Sequence, residues 1–374
     1  MLSRLNDFLT RHRRKFIVTG VVVGGSIFLF KYAQNKLVEM QEKQAREFLE
    51  KSRRLQHFES TEKTCNQVIL GMGAELMQAI IKECSTDELL EQLKQNPPNK
   101  LELWEEMKIQ SFTRLTTFIY ASSMLVVALR IQLNLLGGYL YQDTTTTTDK
   151  YGKKKPGKIN DDLKQQYLSL IRHFIQEDGL SELVRLIRAK VMAVMRQLPL
   201  TKPLSLADIE QLFWSLQMAI NSDPSTDPCS KMAKYLLPSQ LPDHLSGDMA
   251  LMQKMFNETL DLLESDEASS VCSNNICRGF SLAVDAMAES YKHTISTNPS
   301  NSSEKQQQQP QDFNVNSIQI ALARVIPIAS TMTAKGFDSE TRPQNLATSL
   351  LTFYVISDKT KVLGANVYET FSST

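Results

Sequence analysis

Five histidines, five cysteines and one lysine-rich turn are the residues from which a catalytic or metal site would have to be assembled. His12, His57, His173, His244 and His293 stand far apart, and none has the HExxH spacing that puts two imidazoles on one helical face for zinc. Cys65, Cys84, Cys229, Cys272 and Cys277 contain no CxxC pair and no Cys/His cluster. That pattern argues against a structural zinc site and a secreted disulfide framework, and for a reducing, cytosol-facing environment. Cys272 and Cys277 fall in one helical stretch and read as two small buried residues rather than a redox pair. Gly152-Lys-Lys-Lys-Pro-Gly157-Lys158 matches the first seven positions of a phosphate-binding loop. However, Ile159 stands where Ser or Thr must reach magnesium, no strand precedes it, and Pro156 interrupts it. Those lysines read as a solvated loop. With no GxSxG elbow and no glycine-rich dinucleotide turn, the expectation is no catalytic set, no metal and no cofactor. The residue types point to binding.

The two tryptophans are the natural anchors for a binding surface, since tryptophan is enriched at interaction hot spots. Trp214 shares a helical stretch with Ile209, Leu212, Phe213 and Leu216 and is expected in the core. Trp104 lies between Glu102, Glu105 and Glu106, just after the break at Pro97-Pro98. Lys100, Leu101, Trp104, Met107 and Ser111 share one helical face by i, i+3, i+4 and i+7 spacing. With Leu89, Leu90 and Leu93 on the preceding short helix they can wall an apolar groove for an amphipathic partner helix. Core packing is the commoner fate of such a tryptophan, and both readings stand at this level.

The elements that must position these residues are helical. Gly (14) and Pro (13) are sparse in 374 residues, so tight turns are few and long helices are favoured over a many-stranded fold. Ser85-Thr86-Asp87-Glu88 reads as a capping box opening a short helix that Pro97-Pro98 ends. Asn99, with Glu102, caps a helix running to about Tyr141. Its stretch Leu115 to Leu129 is uncharged, but Thr116, Thr117, Ser122, Ser123, Gln132 and Asn134 make the region polar for lipid, and Arg114 and Arg130 bound it. It is expected to be the central helix of a large bundle rather than a membrane span. Further helices are expected near 161–178, ended by Gly179, 181–197, 206–220 with a Ser205/Asp208 cap, 247–264, 267–292, 315–334 with Pro327 as a kink, 343–356 and 358–371. Residues 143–158, 221–246 and 294–312 read as loops or disorder.

Phe16 to Phe30 carries no charge for fifteen residues and follows Arg11-His12-Arg13-Arg14-Lys15. At about 1.5 Å per residue the run spans about 22 Å, short of a hydrocarbon core of about 30 Å, and Lys15, Lys31 and Tyr32 suit its interfaces. No small-residue cleavage pattern follows, so a membrane anchor over 16–32 is expected rather than a cleaved signal. Gly20-x-x-x-Gly24 within it allows close packing of another helix. Residues 31 to about 56 then form a charged helix of Glu-to-base i,i+4 pairs with a thin apolar stripe (Leu37, Met40, Phe48, Leu55), a stalk. The formal net charge of +1 argues against a protein that coats nucleic acid. The basic excess before the span leans weakly toward a cytosolic N-terminus.

Several blocks resemble the peroxisomal biogenesis factor 3 (peroxin-3) family: the basic N-terminus and anchor (11–32), Gln56-His57-Phe58-Glu59-Ser60 with Thr64-Cys65-Asn66, and Asn99-Lys-Leu-Glu-Leu-Trp104-Glu. Leu129-Arg-Ile-Gln-Leu-Asn-Leu-Leu-Gly-Gly-Tyr139, Arg278-Gly-Phe-Ser281 and Ala365-Asn-Val-Tyr-Glu-Thr-Phe-Ser372 continue it, so it covers most of the chain. The resemblance implies an all-α protein with a single N-terminal transmembrane helix followed by a large, elongated helical bundle. Residues 1–15 (Arg11, Arg13, Arg14, Lys15) would be the targeting segment, 16–32 (Phe16, Gly20, Gly24, Phe30) the anchor in the peroxisomal membrane lipid, and 33–374 the cytosolic receptor-docking domain. The implied partner is peroxin-19, the soluble receptor for peroxisomal membrane proteins, whose amphipathic helix enters a groove including Trp104, with Leu93, Lys100 and Met107 at groove positions. Met107 departs from the family in side-chain type. The implied orientation, N-terminus in the matrix, opposes the weak charge rule. The rival function is an organelle tether recruiting inheritance or autophagy factors, and a membrane-anchored enzyme is the remote third. The resemblance is not extended to the loops at 143–158, 221–246 and 294–312, and no functional role is carried onto them.

Overall fold

A computed structural model of the chain describes residues 13–146, 157, 159–242, 248–296, 318–333 and 346–373, with the side chains of 13–30, 33, 145–146 and 293–296 left out. Arg11, most of the lysine cluster at 150–158 and the Ser/Gln stretch from 297 to 312 therefore lie outside the described residues. So do the side chains of Arg13, Arg14, Lys15, Phe16, Gly20, Gly24 and Phe30, whose backbone is helical. The chain divides into two compact units, Met1–His57 and Phe58–Thr374.

Helix α1, Arg13–Glu83, is continuous. In the first unit, its residues from Lys31 to Gln56 are almost all exposed, including Leu37, Met40, Phe48 and Leu55. A helix turning charge to solvent on every side gains little from burial and leans on propensity and on pairs such as Glu42–Arg46, 3.4 Å apart. In the second unit, its continuation changes character. Cys65, Ile69, Leu76, Met77 and Ile80 repeat at helical spacing and are fully buried.

Beyond α1 the described helices are α2 (Asp87–Lys94), α3 (Lys100–Thr146), α4 (Asp161–Ser169), α5 (Arg172–Gln176), α6 (Asp178–Met195), α7 (Leu206–Ile220) and α8 (Met232–Leu236). Then follow α9 (Met249–Leu263), α10 (Asp266–Ser296), α11 (Leu322–Met332), α12 (Leu346–Ile356) and α13 (Asp358–Ser372). One antiparallel pair, β1 (Pro203–Leu204) with β2 (Ile320–Ala321), sets Pro203 opposite Ala321 and Leu204 opposite Ile320. The fold is all-α, with this one small exception among the described residues.

α3 is the axis of the second unit. Among the described residues it is the one helix long and apolar enough to cross a membrane, and that apolar window is buried entirely inside the protein. Helices α13, α6, α11, α10, α9, α12 and α2 all pack on it. Some of the polar residues that made it too polar for lipid find protein partners: Ser123 Oγ donates to the Cys272 carbonyl at 3.0 Å and Gln132 Nε2 to the Tyr167 carbonyl at 2.5 Å, whereas the Thr116, Thr117 and Ser122 hydroxyls are buried without one. Arg130, fully buried, pairs with Glu62 and donates to Asn66 Oδ1 at 2.6 Å and the Val355 carbonyl at 2.8 Å. Gly138 permits a close approach of α13, since a Cβ there would stand 2.7 Å from Phe371 Cβ and 2.8 Å from its carbonyl carbon. The central-helix expectation therefore holds, with the helix extending to Thr146 and taking the start of the expected 143–158 loop.

Several local expectations are corrected. Ser85 and Thr86 do not form a capping box: Thr86 is the N-cap with no side-chain cap bond, because its hydroxyl accepts from buried Arg114 instead. The expected helix 161–178 is two pieces, because backbone bonds three residues apart tighten the chain at Leu170–Phe174. Gly179 ends nothing. The chain breaks at Glu177 (φ −115°, ψ −144°), and Gly179 lies inside α6 where a Cβ would run into the Tyr235 carbonyl. Residues 221–246 are not simply loop: Asp223 and Asp227 accept backbone N–H bonds from Ser225 and Cys229, and α8 buries Met232, Ala233, Tyr235 and Leu236. Trp214 is 62% exposed, whereas Ile209, Leu212, Phe213 and Leu216 are buried. The core face of α7 repeats at 209, 212/213, 216 and 220, and one further residue turns Trp214 about 100° away from it. Cys272 is buried as expected, but Cys277 is exposed, and all five cysteines are free thiols. The Ser205/Asp208 capping box is present in full.

Candidate functional site

The α2–α3 hairpin starts from a short helix with weak packing. None of the eight residues of α2 is fully buried; Leu89 and Leu93 pack half-buried against the core. The helix ends where the Gln95 N–H donates to the Gln92 carbonyl and the Asn96 N–H to the Leu93 carbonyl, both at 3.2 Å, and Asn96 takes φ 52°. Asparagine tolerates this left-handed conformation better than most residues, which makes it a helix-stopping signal. Pro97 and Pro98 cannot continue a helix, and Asn96 Oδ1 accepts from Lys100 Nζ at 3.3 Å across the turn. α3 begins at once, Leu103 N–H donating to the Asn99 carbonyl at 3.2 Å.

The first turns of α3 are held from behind by charge. Lys108 Nζ, fully buried, donates to the Leu198 carbonyl at 2.8 Å and meets Glu105 at 2.6 Å, and Glu106 pairs with Arg188 on α6. The other side of the hairpin is apolar. Trp104 is half-buried against the core cluster that contains Met107, itself 2% exposed. Leu90 and Leu101 are 42% and 70% exposed, so greasy surface from both helices reaches solvent here. Of the expected groove residues, Leu93 and Trp104 are half-buried, Lys100 is exposed and Met107 is buried beneath the surface. The single face expected for Lys100, Leu101, Trp104, Met107 and Ser111 is graded along its length, outermost at Leu101 and fully buried at Ser111.

Sequence reasoning missed Arg114. It sits ten residues beyond Trp104 on α3 and joins the start of α2 to the end of α11. The available signal was a lone arginine bounding an apolar run, which has to find polar partners if that run is buried.

A second concavity, a cleft of about 410 Å³ in the second unit, is lined by Glu75, Gln78, Lys82 and Glu83 on α1 and by Gln176 and Glu177 near α5. Gln176 Nε2 bonds Glu75 Oε1 across it at 2.7 Å. Apolar Ala79, Ile175 and Leu180 share that lining with the polar side chains in about equal measure, and it carries no nucleophile–base pair. Burial pushes the Cys65 and Cys84 thiols up to about 12, which keeps both protonated and unreactive at neutral pH. No cluster of three or more His, Cys, Asp or Glu residues suited to a metal occurs among the described residues. The site geometry supports apolar docking.

Comparison with known proteins gives the same direction at the level of family. A family model described as Peroxin-3 matches residues 7–99 and 95–351. The chain is 36% identical over 386 residues to "Peroxisomal biogenesis factor 3" of Mus musculus, covering 100% of this chain and 98% of that protein. The protein of the same name from Homo sapiens is 36% identical over 387 residues with the same coverage. "Peroxisomal membrane protein PEX3" of Komagataella phaffii is 24% identical over 184 residues, 38% of this chain and 40% of that one. With similarity of that level running end to end, the chain belongs to the Peroxin-3 family of peroxisome biogenesis factors.

Proposed function

We propose that this protein is a membrane-anchored docking factor whose α2–α3 hairpin captures an amphipathic helix of the soluble receptor for peroxisomal membrane proteins, peroxin-19. The observation that carries the reading is half-buried Trp104 together with exposed Leu90 and Leu101 on the two packed helices of one hairpin. A partner helix presenting apolar residues at i, i+3 and i+4 would cover these three and Leu93, while Lys100 at the rim suits an acidic residue of the partner. A tryptophan already half-seated in its pocket loses little conformational freedom on binding, which is how a short helix attains useful affinity.

The anchor in this reading is residues 16–32, with Arg11, Arg13, Arg14 and Lys15 as the targeting segment and residues 33–374 facing the cytosol at the peroxisomal membrane. Fifteen uncharged residues are enough for a slightly compressed span when Lys15 and Lys31 snorkel, and Tyr32 suits the interface. Cargo released from the receptor beside the bilayer then inserts without crossing bulk water. The test is a titration of the full chain in detergent with the receptor's N-terminal helix. Trp104→Ala is expected to weaken binding by about 2–4 kcal/mol while the domain stays folded. Wild-type affinity in that variant would remove the groove assignment.

A second reading, a tether that recruits inheritance or autophagy factors, draws on exposed Trp214 and Met218 one turn apart on α7. Cells lacking the protein separate the two: loss of peroxisomal membranes supports docking, and normal but misplaced organelles support tethering.

A further inference from the structure

Arg114 is 2% exposed and forms no ion pair among the described residues. Its hydrogen bonds go to neutral groups: Nε donates to Thr333 Oγ1 at 2.9 Å, Nη1 to Thr86 Oγ1 at 3.2 Å, and Nη2 to the Ser330 carbonyl at 2.5 Å and Ser330 Oγ at 2.9 Å. A buried guanidinium with no carboxylate in direct contact, Asp87 acting on it only from longer range, is expensive to keep, and an apolar residue of similar volume would ordinarily serve packing as well or better. The Ser330 and Thr333 contacts have an evident role, since a cation at the last carbonyls of α11 complements the helix dipole. The Thr86 contact has a different consequence. Thr86 is itself 2% exposed and is the residue from which α2 starts. Because α2 has no fully buried residue and packs on the core only through half-buried Leu89 and Leu93, its exact place also depends on its two ends. The far end is the Asn96–Lys100 turn, and the near end is the Arg114–Thr86 bond.

We infer that Arg114 is a positioning residue for the docking groove: through Thr86 it fixes the α2 wall, which carries Leu90 and Leu93, at its spacing from Trp104 on α3. This rests on the docking reading above. Without the bond the hairpin still forms, but α2 samples positions in which the groove is too wide or too narrow. The partner then binds only the competent fraction, and the apparent dissociation constant rises by the inverse of that fraction.

The experiment uses full-length chain in detergent, the receptor's N-terminal helical peptide as probe, and four variants. Thr86→Val keeps the shape and deletes the acceptor; Thr86→Ser keeps the acceptor; Thr333→Val deletes the α11 contact to the same guanidinium; Trp104→Ala controls the groove itself. Thr86→Val is expected to raise the dissociation constant about three- to tenfold and to speed hydrogen exchange at α2 amides, while Thr86→Ser binds as wild type. Thr333→Val is expected to lower the unfolding midpoint and leave peptide affinity within about twofold, because it does not touch α2. If Trp104→Ala loses binding while Thr86→Val retains it, the positioning role is overturned and the groove stands. Equal affinity losses in Thr86→Val and Thr333→Val likewise overturn it, because the guanidinium would then act only through general stability. Wild-type binding by Trp104→Ala overturns the groove and this inference together.

Discussion

Helix α3 contains two regions that obey opposite rules. From Met107 to Gly138 every residue is buried, and helices pack around it on all sides. From Lys100 to Glu106 none is buried, and the neighbouring α2 has no fully buried residue either. The buried stretch gains its free energy from packing density and from a few satisfied charges, and its surface is committed to the fold. The hairpin keeps apolar area in reserve. It is held by turn chemistry at Asn96 and by charged bonds behind Trp104, so its outward leucines are not needed for folding. One helix thus carries both the stability of the domain and its candidate docking surface, and the two should be separable by mutation.

The largest effect is expected in the buried stretch. Arg130→Met leaves the mostly buried Glu62 carboxylate without its cation and should cost about 3–5 kcal/mol in denaturant unfolding. Folded molecules of that variant should still bind the receptor helix normally. A parallel loss of affinity in them would break the proposed separation.

The next effect is on pH. Burial pushes the Cys65 and Cys84 thiols from the ordinary 9.0 to about 12, and the Tyr235 and Tyr291 hydroxyls from 10.0 to about 12. Their folded values lie above their unfolded ones, so their contribution to stability is complete below pH 9 and is lost as pH rises toward 12. Thermal unfolding midpoints should therefore hold steady between pH 7 and 9 and fall above that. A midpoint that rises from pH 9 to 11 would contradict this accounting.

The smallest effect belongs to the other tryptophan. Trp214→Ala should change stability by no more than about 0.5 kcal/mol, because the side chain is already 62% in water. It should leave receptor-helix affinity unchanged. A loss comparable with that of Trp104→Ala would move the docking site to α7 and favour the tether reading.

Where the chain's own local rules decide the outcome, residue types alone were informative. Pro97-Pro98 forces the α2–α3 break, Ser205 and Asp208 cap α7, and the hydroxyl, amide and guanidinium groups along α3 mark it as a protein core rather than a lipid span. The misses arise where a distant partner overrides a local preference. Thr86 has the right type for a capping box, but its hydroxyl is taken by Arg114, 28 residues away. Gly179 suits a helix end, yet serves the close approach of the Tyr235 carbonyl. The proline-rich stretch after α7 has a disordered composition, but its aspartates close turns and Met232–Leu236 reaches the core. The apolar hairpin surface was legible from spacing and resemblance, although Met107 lies beneath it rather than on it. The Arg114 pin was not, since nothing local ties a mid-helix arginine to the start of another helix.

The central claim is that the receptor helix covers Trp104, and the chain's tryptophan count makes this directly measurable. With Trp214→Phe, Trp104 is the sole tryptophan of the full-length protein. Its emission should shift to shorter wavelength and saturate with the same midpoint as peptide binding measured independently, as the half-buried indole becomes fully covered. Saturable binding with no change in Trp104 emission would contradict the account.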